Sequence, residues 1–295
     1  MTRQRHSVRA AAVVLAVIGI CACSTAPKRP LETVIQRQNA GAYLELANRE
    51  ADRGNYEEAW DIAAEARRIA VSIDDPSLII KTGLSAGTIL YAVGKRDEAT
   101  VFWNEALAEA ERIDDRELAS VCRIYAARAR LLDFAAGREP ENLAALRADI
   151  KADLARIQED KLFLAFGWTV AGLVERESRR WAEAESAIKK ALAIHEGERY
   201  LEQAAYDWYL IASVRSLADQ YEGALDALSQ ALAYDRRAEN SYGIGKDWFA
   251  RGEVCRKARR VTDAEAAYRR AAEIFKASNF EDDAEAARRR LEELK

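Results

Sequence analysis

Thiols, imidazoles and paired carboxylates are the side chains with which a chain most readily does chemistry, and this sequence is poor in the first two. It holds two histidines, His6 and His195, and four cysteines, Cys21, Cys23, Cys122 and Cys255. One histidine in the body of the chain cannot build a histidine-based metal site and leaves little for acid–base catalysis. His195 falls near the C-terminal end of a helical segment, where a partial positive charge is mildly favourable, and it reads as structural. No glycine-rich phosphate loop, dinucleotide fingerprint, nucleophile elbow or HExxH sequence occurs. Carboxylates are abundant, but they alternate with Arg and Lys at three- and four-residue spacing, as Glu285 does with Arg288 and Arg289. That is the pattern of solvated helix faces rather than of an acid–base pair. The chain is therefore expected not to be an enzyme and to hold neither metal nor cofactor.

Chemistry of another kind is written at the N-terminus. A basic start, MTRQRHSVR, precedes an uncharged apolar run from Ala10 to Ala22. That run is too short to span a bilayer, which takes about 20 apolar residues, and it fits the apolar core of a secretory signal. Ile20-Cys21-Ala22-Cys23-Ser24 follows. It resembles the lipobox of bacterial lipoproteins, with a branched apolar residue at −3, a small residue at −1 and the cysteine that is acylated. Cys23 fits that role, whereas β-branched Ile20 at −1 makes Cys21 a poorer candidate. The resemblance implies a signal peptide over 1–22, a lipidated tether over 23–30 and anchoring to the membrane through N-terminal lipid. Ser24, in place of the Asp that retains some lipoproteins at the inner membrane, implies delivery to the bacterial outer membrane, facing the periplasm. Several acyl chains at one terminus give stable anchoring where a single chain is marginal.

The elements that follow are helices. Hydrophobic residues make up 49% and charged residues 32% of the chain, with only 14 Gly and 4 Pro, a composition that can fold and favours helix. The formal net charge is −4, and loss of Arg3, Arg5 and Arg9 with the signal makes the remainder more acidic still. Nucleic acid, which calls for a basic stripe, is not an expected partner.

Residues 31–295 repeat. Trp168, Trp208 and Trp248 recur every 40 residues, as do Ala184, Ala224 and Ala264, and Ala191, Ala231 and Ala271. Gly54-Asn55-Tyr56-Glu57-Glu58-Ala59 is answered 40 residues later by Gly94-Lys95-Arg96-Asp97-Glu98-Ala99. A fixed period of this length marks a repeat architecture. Each unit reads as two helices. Trp181, Ala184, Ile188, Ala191 and Leu192 form one apolar face of a second helix. Gly87, Gly172 and Gly252 mark first helices where a neighbour crosses closely. The copy around 116–158 is diverged, with a longer turn at Gly137-Arg138-Glu139-Pro140, and a charged helix from about Glu281 to Glu293 suits a solvating cap. Asp75 before Pro76 is a plausible N-cap with Pro at the first helical position. Cys122 and Cys255 stand three repeats apart, too far to be bridged, and read as small buried hydrophobes.

Trp168, Ala171 and Gly172 in the first helix, with Ala184, Ile188 and Ala191 in the second, resemble the tetratricopeptide repeat (TPR), whose pattern runs W-x2-L-G-x2-Y, then A-x3-F, then A. The resemblance covers most of residues 40–279 and departs from the family in its longer period. It implies an all-α, right-handed α-solenoid of about six TPR-like helix pairs with a C-terminal capping helix.

The resemblance also implies a partner-binding groove lined by first-helix residues. In the fourth repeat these are Phe166, Thr169, Leu173 and Arg176; in the fifth, Tyr206, Tyr209 and Ser213; in the sixth, Lys246, Phe249 and Arg256. Aromatic residues edged by Arg suit a protein or peptide partner. The Lys with which some TPR domains hold a C-terminal carboxylate is replaced by Leu44, Leu84, Thr169, Tyr209 and Phe249. The expected function is a protein–protein interaction scaffold in envelope assembly, the alternative a ligand- or glycan-binding accessory lipoprotein of a transporter or cell-wall system. The C-terminal half, richer in aromatics, is expected to hold the partner, with the N-terminal half as a stem.

Overall fold

A computed structural model describes residues 34–294 of the chain. The lipobox-like segment, with Cys21 and Cys23, and the tether lie outside the described residues. Among those described there are thirteen α-helices and no strand. No helix among them is long and apolar enough to cross a membrane.

The 40-residue period resolves into two half-units of 20. Helix α1 (Ile35–Asp52) pairs with α2 (Tyr56–Ser72), α3 (Pro76–Ala92) with α4 (Arg96–Arg112), and α5 (Arg116–Ala135) with α6 (Leu143–Leu154). Then α7 (Lys161–Glu177) pairs with α8 (Trp181–Glu198), α9 (Leu201–Leu217) with α10 (Tyr221–Arg237), and α11 (Ser241–Lys257) with α12 (Val261–Ala277). Helix α13 (Glu281–Glu292) closes the end. These are the six helix pairs and cap that the sequence implies, and connections this short force successive helices to lie antiparallel as neighbours.

The connections are as periodic as the helices. Most helices have 17 residues, so each is about 26 Å long at 1.5 Å per residue, and three residues join one to the next. The middle residue of the three is left-handed: Gly54, Asp74, Gly94 and Asp114 early in the chain, then Arg179, Asp219, Glu239, Arg259 and Asn279; in the two-residue connection before α9 it is Arg199, the first. A left-handed residue just past the helix lets the next backbone N–H groups close on the last turn's carbonyls, as Asp75 N–H does on Ala70 O at 3.1 Å. The third residue starts the following helix. Asp75, Asp115, Asn142, Asp160 and Asn240 each accept a hydrogen bond from the new helix's first turn. The diverged third pair breaks this rhythm through its longer turn and a 12-residue α6.

Packing within a pair follows one rule. A small residue in the first helix admits a large one 16 positions on. A Cβ added at Gly87 would stand 2.4 Å from the Trp103 ring, at Gly172 2.5 Å from Ile188 Cγ1, and at Gly252 2.5 Å from the Tyr268 ring. At such crossings the glycine and its large partner are one unit of interior volume. The expected apolar face of α8 is also observed: Ala184, Ile188, Ala191 and Leu192 are buried, with Trp181 partly so. Cys122 and Cys255 are buried and free, as expected of small hydrophobes.

Candidate protein-binding groove

The residues expected to form a groove separate into three environments. Arg176, Tyr206, Tyr209, Ser213 and Lys246 come together across α7, α9 and α11. Tyr206 keeps 44% of its surface exposed and stacks on Tyr209, with ring centroids 6.2 Å apart and planes 12° from parallel. Burial pushes the Tyr209 hydroxyl pKa up, while the nearby charges of Lys246 and Arg176 pull it down. Arg176 reaches Ser213 Oγ at 3.4 Å and is held by Glu177 at 2.8 Å; Lys246 lies 5.5 Å from the Tyr242 ring centroid and 3.6 Å from Asp283.

Thr169 and Leu173 are instead interior, and neither lines open space. Thr169 Oγ1 bonds Ala165 O and Asp207 Oδ1, both at 3.2 Å, so it joins α7 to α9 rather than facing a partner. Leu173 belongs to the main hydrophobic core. Phe249 meets Tyr268 edge-on at 5.5 Å and packs in the crossing of α11 and α12. Arg256 pairs with Glu253 at 2.8 Å; Glu253 also binds Tyr268 and Arg290, a network at the far end of the array. Phe166 stands apart from the tyrosine pair and stacks at 4.2 Å on Tyr125 of α5.

Tyr125 belongs to a set of inner residues that the aligned repeats do not reveal. The turn between α1 and α2 folds back onto the fifth and sixth helix pairs. Arg53 binds Glu202 of α9 at 3.1 Å and Ala238 O after α10 at 3.4 Å, and Gln203 of α9 donates to Asp52 at 2.7 Å. Gly54, left-handed at φ 80, is approached so closely by Tyr242 and Phe280 that an added Cβ would lie 3.0 and 3.2 Å from their rings. The start of the solenoid thus touches its end. The N-terminal half, expected to be a stem, is in contact with the last two helix pairs through this turn.

Arg128 of α5 faces this seam. Its charge acts on Asp52, Tyr56 and Tyr125, and no carboxylate among the described residues forms an ion pair with it. Asp52 keeps contact with water, yet protein surrounds it; that crowding, with the neighbouring charge of Glu202, pushes its carboxyl up to about 7. The sequence carried little signal for this region, since Tyr56 opens α2 but Tyr125 stands midway along α5, and the third repeat is out of register with the others.

His195, expected to be structural, donates or accepts at Nδ1 with Asp207 Oδ2 at 2.7 Å, both side chains buried. With Thr169 on the other carboxylate oxygen, Asp207 ties together α7, α8 and α9. Lys190, on the same helix as His195, sits over the Trp168 ring at 3.8 Å, a cation–π contact that shields the repeat's tryptophan. No group of three or more His, Cys, Asp or Glu among the described residues could hold a metal ion.

This geometry defines a class: a helix-pair solenoid of the TPR type, with a polar, tyrosine-bearing inner face. Comparison with solved structures gives the same fold. A Rap protein complexed with competence and sporulation factor matches with a TM-score of 0.58 at 15% identity, over 87% of this chain and 74% of the other. RapI in its apo form matches at 0.57 and 13% identity, over 86% of this chain and 70% of that one. BtubC from P. vanneervenii matches at 0.54 and 18% identity, over 81% and 92%. At these identities the likeness is one of fold alone. No protein-family model matches the chain, and no curated protein matches it.

Proposed function

We propose that this chain is a protein-binding scaffold that holds a partner polypeptide along the inner face of its solenoid. The observation that carries this reading is the exposed Tyr206 ring stacked on Tyr209, with Arg176 and Lys246 beside it. Stacked tyrosines offer large apolar area with few rotamers to freeze, and Arg at their edge supplies directed hydrogen bonds; such residues dominate binding energy at interfaces. The fold suits the role, since the Rap protein of the same architecture is known in complex with competence and sporulation factor. The lipobox-like sequence around Cys23 places the scaffold, in this proposal, on the periplasmic side of the outer membrane, where it serves envelope assembly.

The test is capture from native envelopes after crosslinking, comparing the parent chain with Tyr206→Ala/Arg176→Ala. Tyr206 is exposed and Arg176 half-buried, held by Glu177 and Ser213 rather than by the hydrophobic core, so the helical circular dichroism signal is expected to be unchanged while recovery of the partner falls by at least about tenfold. Equal recovery from both chains would place the partner elsewhere.

A further inference from the structure

The interior holds a departure from its own repeat. In the fourth and fifth pairs, His195 of α8 faces Asp207 of α9, and a buried imidazole meets a buried carboxylate. Forty residues later the same two positions are Asp235 of α10 and Asp247 of α11. Both are buried. The cation-forming partner has become a second acid.

The surroundings do not compensate. Asp247 Oδ2, the atom equivalent to the one that meets His195, is buried and has no hydrogen-bond donor among the described residues. Tyr209 stands where Thr169 donates to Asp207, and its hydroxyl makes no hydrogen bond to Asp247. Asp235 Oδ1 accepts from Asn240 Nδ2 at 2.9 Å, and its Oδ2 packs so closely on Gly243, one turn before Asp247 on α11, that a Cβ there would clash with it. The charges that face the pair are Arg236 of α10, Glu202 of α9 and Asp52 at the end of α1, with Tyr209 of α9 also within reach. Arg236 is the cation that acts on the pair directly; Arg53, bound to Glu202 and to Ala238 O, and Lys246, which acts on Tyr209, are the other cations near it. Two carboxylates in one buried site cannot both stay ionised, because each is desolvated and repels the other.

We propose that the buried pair Asp235 and Asp247 retains a proton at neutral pH within the α10–α11 contact, so that the packing of the last two helix pairs, and with it the seam to α1, is proton-linked. Burial is the leading cause that lifts both carboxyls: Asp235 to about 7, with added push from Glu202 and Asp52, and Asp247 to about 9, with added push from Asp235. Protons leave such a site in two steps that belong to the pair. In the unfolded chain both groups ionise near the ordinary 3.8. A carboxyl raised on folding lends stability in full below that value and loses it as pH rises through the folded range. The seam is therefore tightest below about 3.8 and loosens progressively as pH rises towards about 7 and then about 9, with no further loss above that.

Two variants and one direct measurement test this. The melting temperature of the parent protein is expected to fall from pH 5.5 to pH 8.5. Asp247→Asn, which removes the second charge, and Asp235→His, which recreates the pair found one repeat earlier, are each expected to flatten that fall. Carbon-13 carboxyl shifts of labelled aspartate in the parent protein, assigned with Asp247→Asn, are expected to show Asp247 protonated at pH 7. The proposal is overturned if both variants keep the parent's slope, or if every aspartate carboxyl titrates in the ordinary range. If a variant does not fold, the carboxyl shifts of the parent decide alone.

Discussion

Gly172 shows how much of this molecule is decided at single positions. An added Cβ would lie 2.5 Å from Ile188 Cγ1 and 3.1 Å from the backbone oxygen of Ala184, so even a methyl group must push two helices apart. Gly172→Leu is expected to cost about 1–3 kcal/mol or more in urea unfolding, because overpacking forces backbone shifts. The exposed Glu183→Leu should stay within about 0.5 kcal/mol, since its ion pair with Arg180 is solvent-screened. Equal losses for the two would mean that α7 and α8 do not cross there. The left-handed connectors offer the opposite change. Arg259, at φ 59, is exposed and makes no side-chain hydrogen bond among the described residues. Arg259→Gly should raise stability by about 1 kcal/mol, because only glycine adopts that backbone without a Cβ penalty.

At the scale of elements, the sequence made the helix pairs visible because the period is local. Seventeen helical residues and three connecting ones recur so regularly that Trp168, Trp208 and Trp248 keep their register without gaps. The N-cap at Asp75 was legible for the same reason: Asp before Pro has few other uses. Its side chain accepts from Leu78 N–H at 3.1 Å and also binds Arg37 of α1 at 2.6 Å, joining two pairs at one cap. Asp75→Ala should therefore destabilise by about 1–2 kcal/mol in chemical denaturation, whereas Asp282→Ala in the first turn of exposed α13 should cost less than half of that. The groove was only partly legible. Arg176, Tyr206, Tyr209, Ser213 and Lys246 do gather, but Thr169 and Leu173 were mapped from a pattern of shorter helices. In 17-residue helices those positions fall on the contact between neighbouring first helices. The seam was not legible at all. Arg53 and Glu202 lie 149 residues apart, and their meeting depends on small rotations summed over four helix pairs, which no local pattern records.

For the whole molecule, the return of the α1–α2 turn to the last pairs joins two questions that the sequence kept separate, namely where the partner sits and what the N-terminal half does. Arg53, Asp52 and Gly54 pack against α9, α11 and the turn before α13, so that half is tied to the pair that carries Tyr206 and Tyr209. The expected export route remains open to a simple check. Cys23→Ser should abolish incorporation of a palmitate analogue, whereas Cys21→Ser should retain it; the reverse pattern would assign the lipid to Cys21. The central claim, that a polypeptide partner lies on the inner face, is tested most directly by a photoreactive phenylalanine analogue placed in native envelopes at position 206 or at position 269. Tyr206 is exposed on α9 and stacks on Tyr209, whereas Arg269 is exposed on α12. The account predicts one discrete crosslinked partner from position 206 that is weakened by Arg176→Ala, and none from position 269. The same partner captured from position 269, with nothing from position 206, would contradict it.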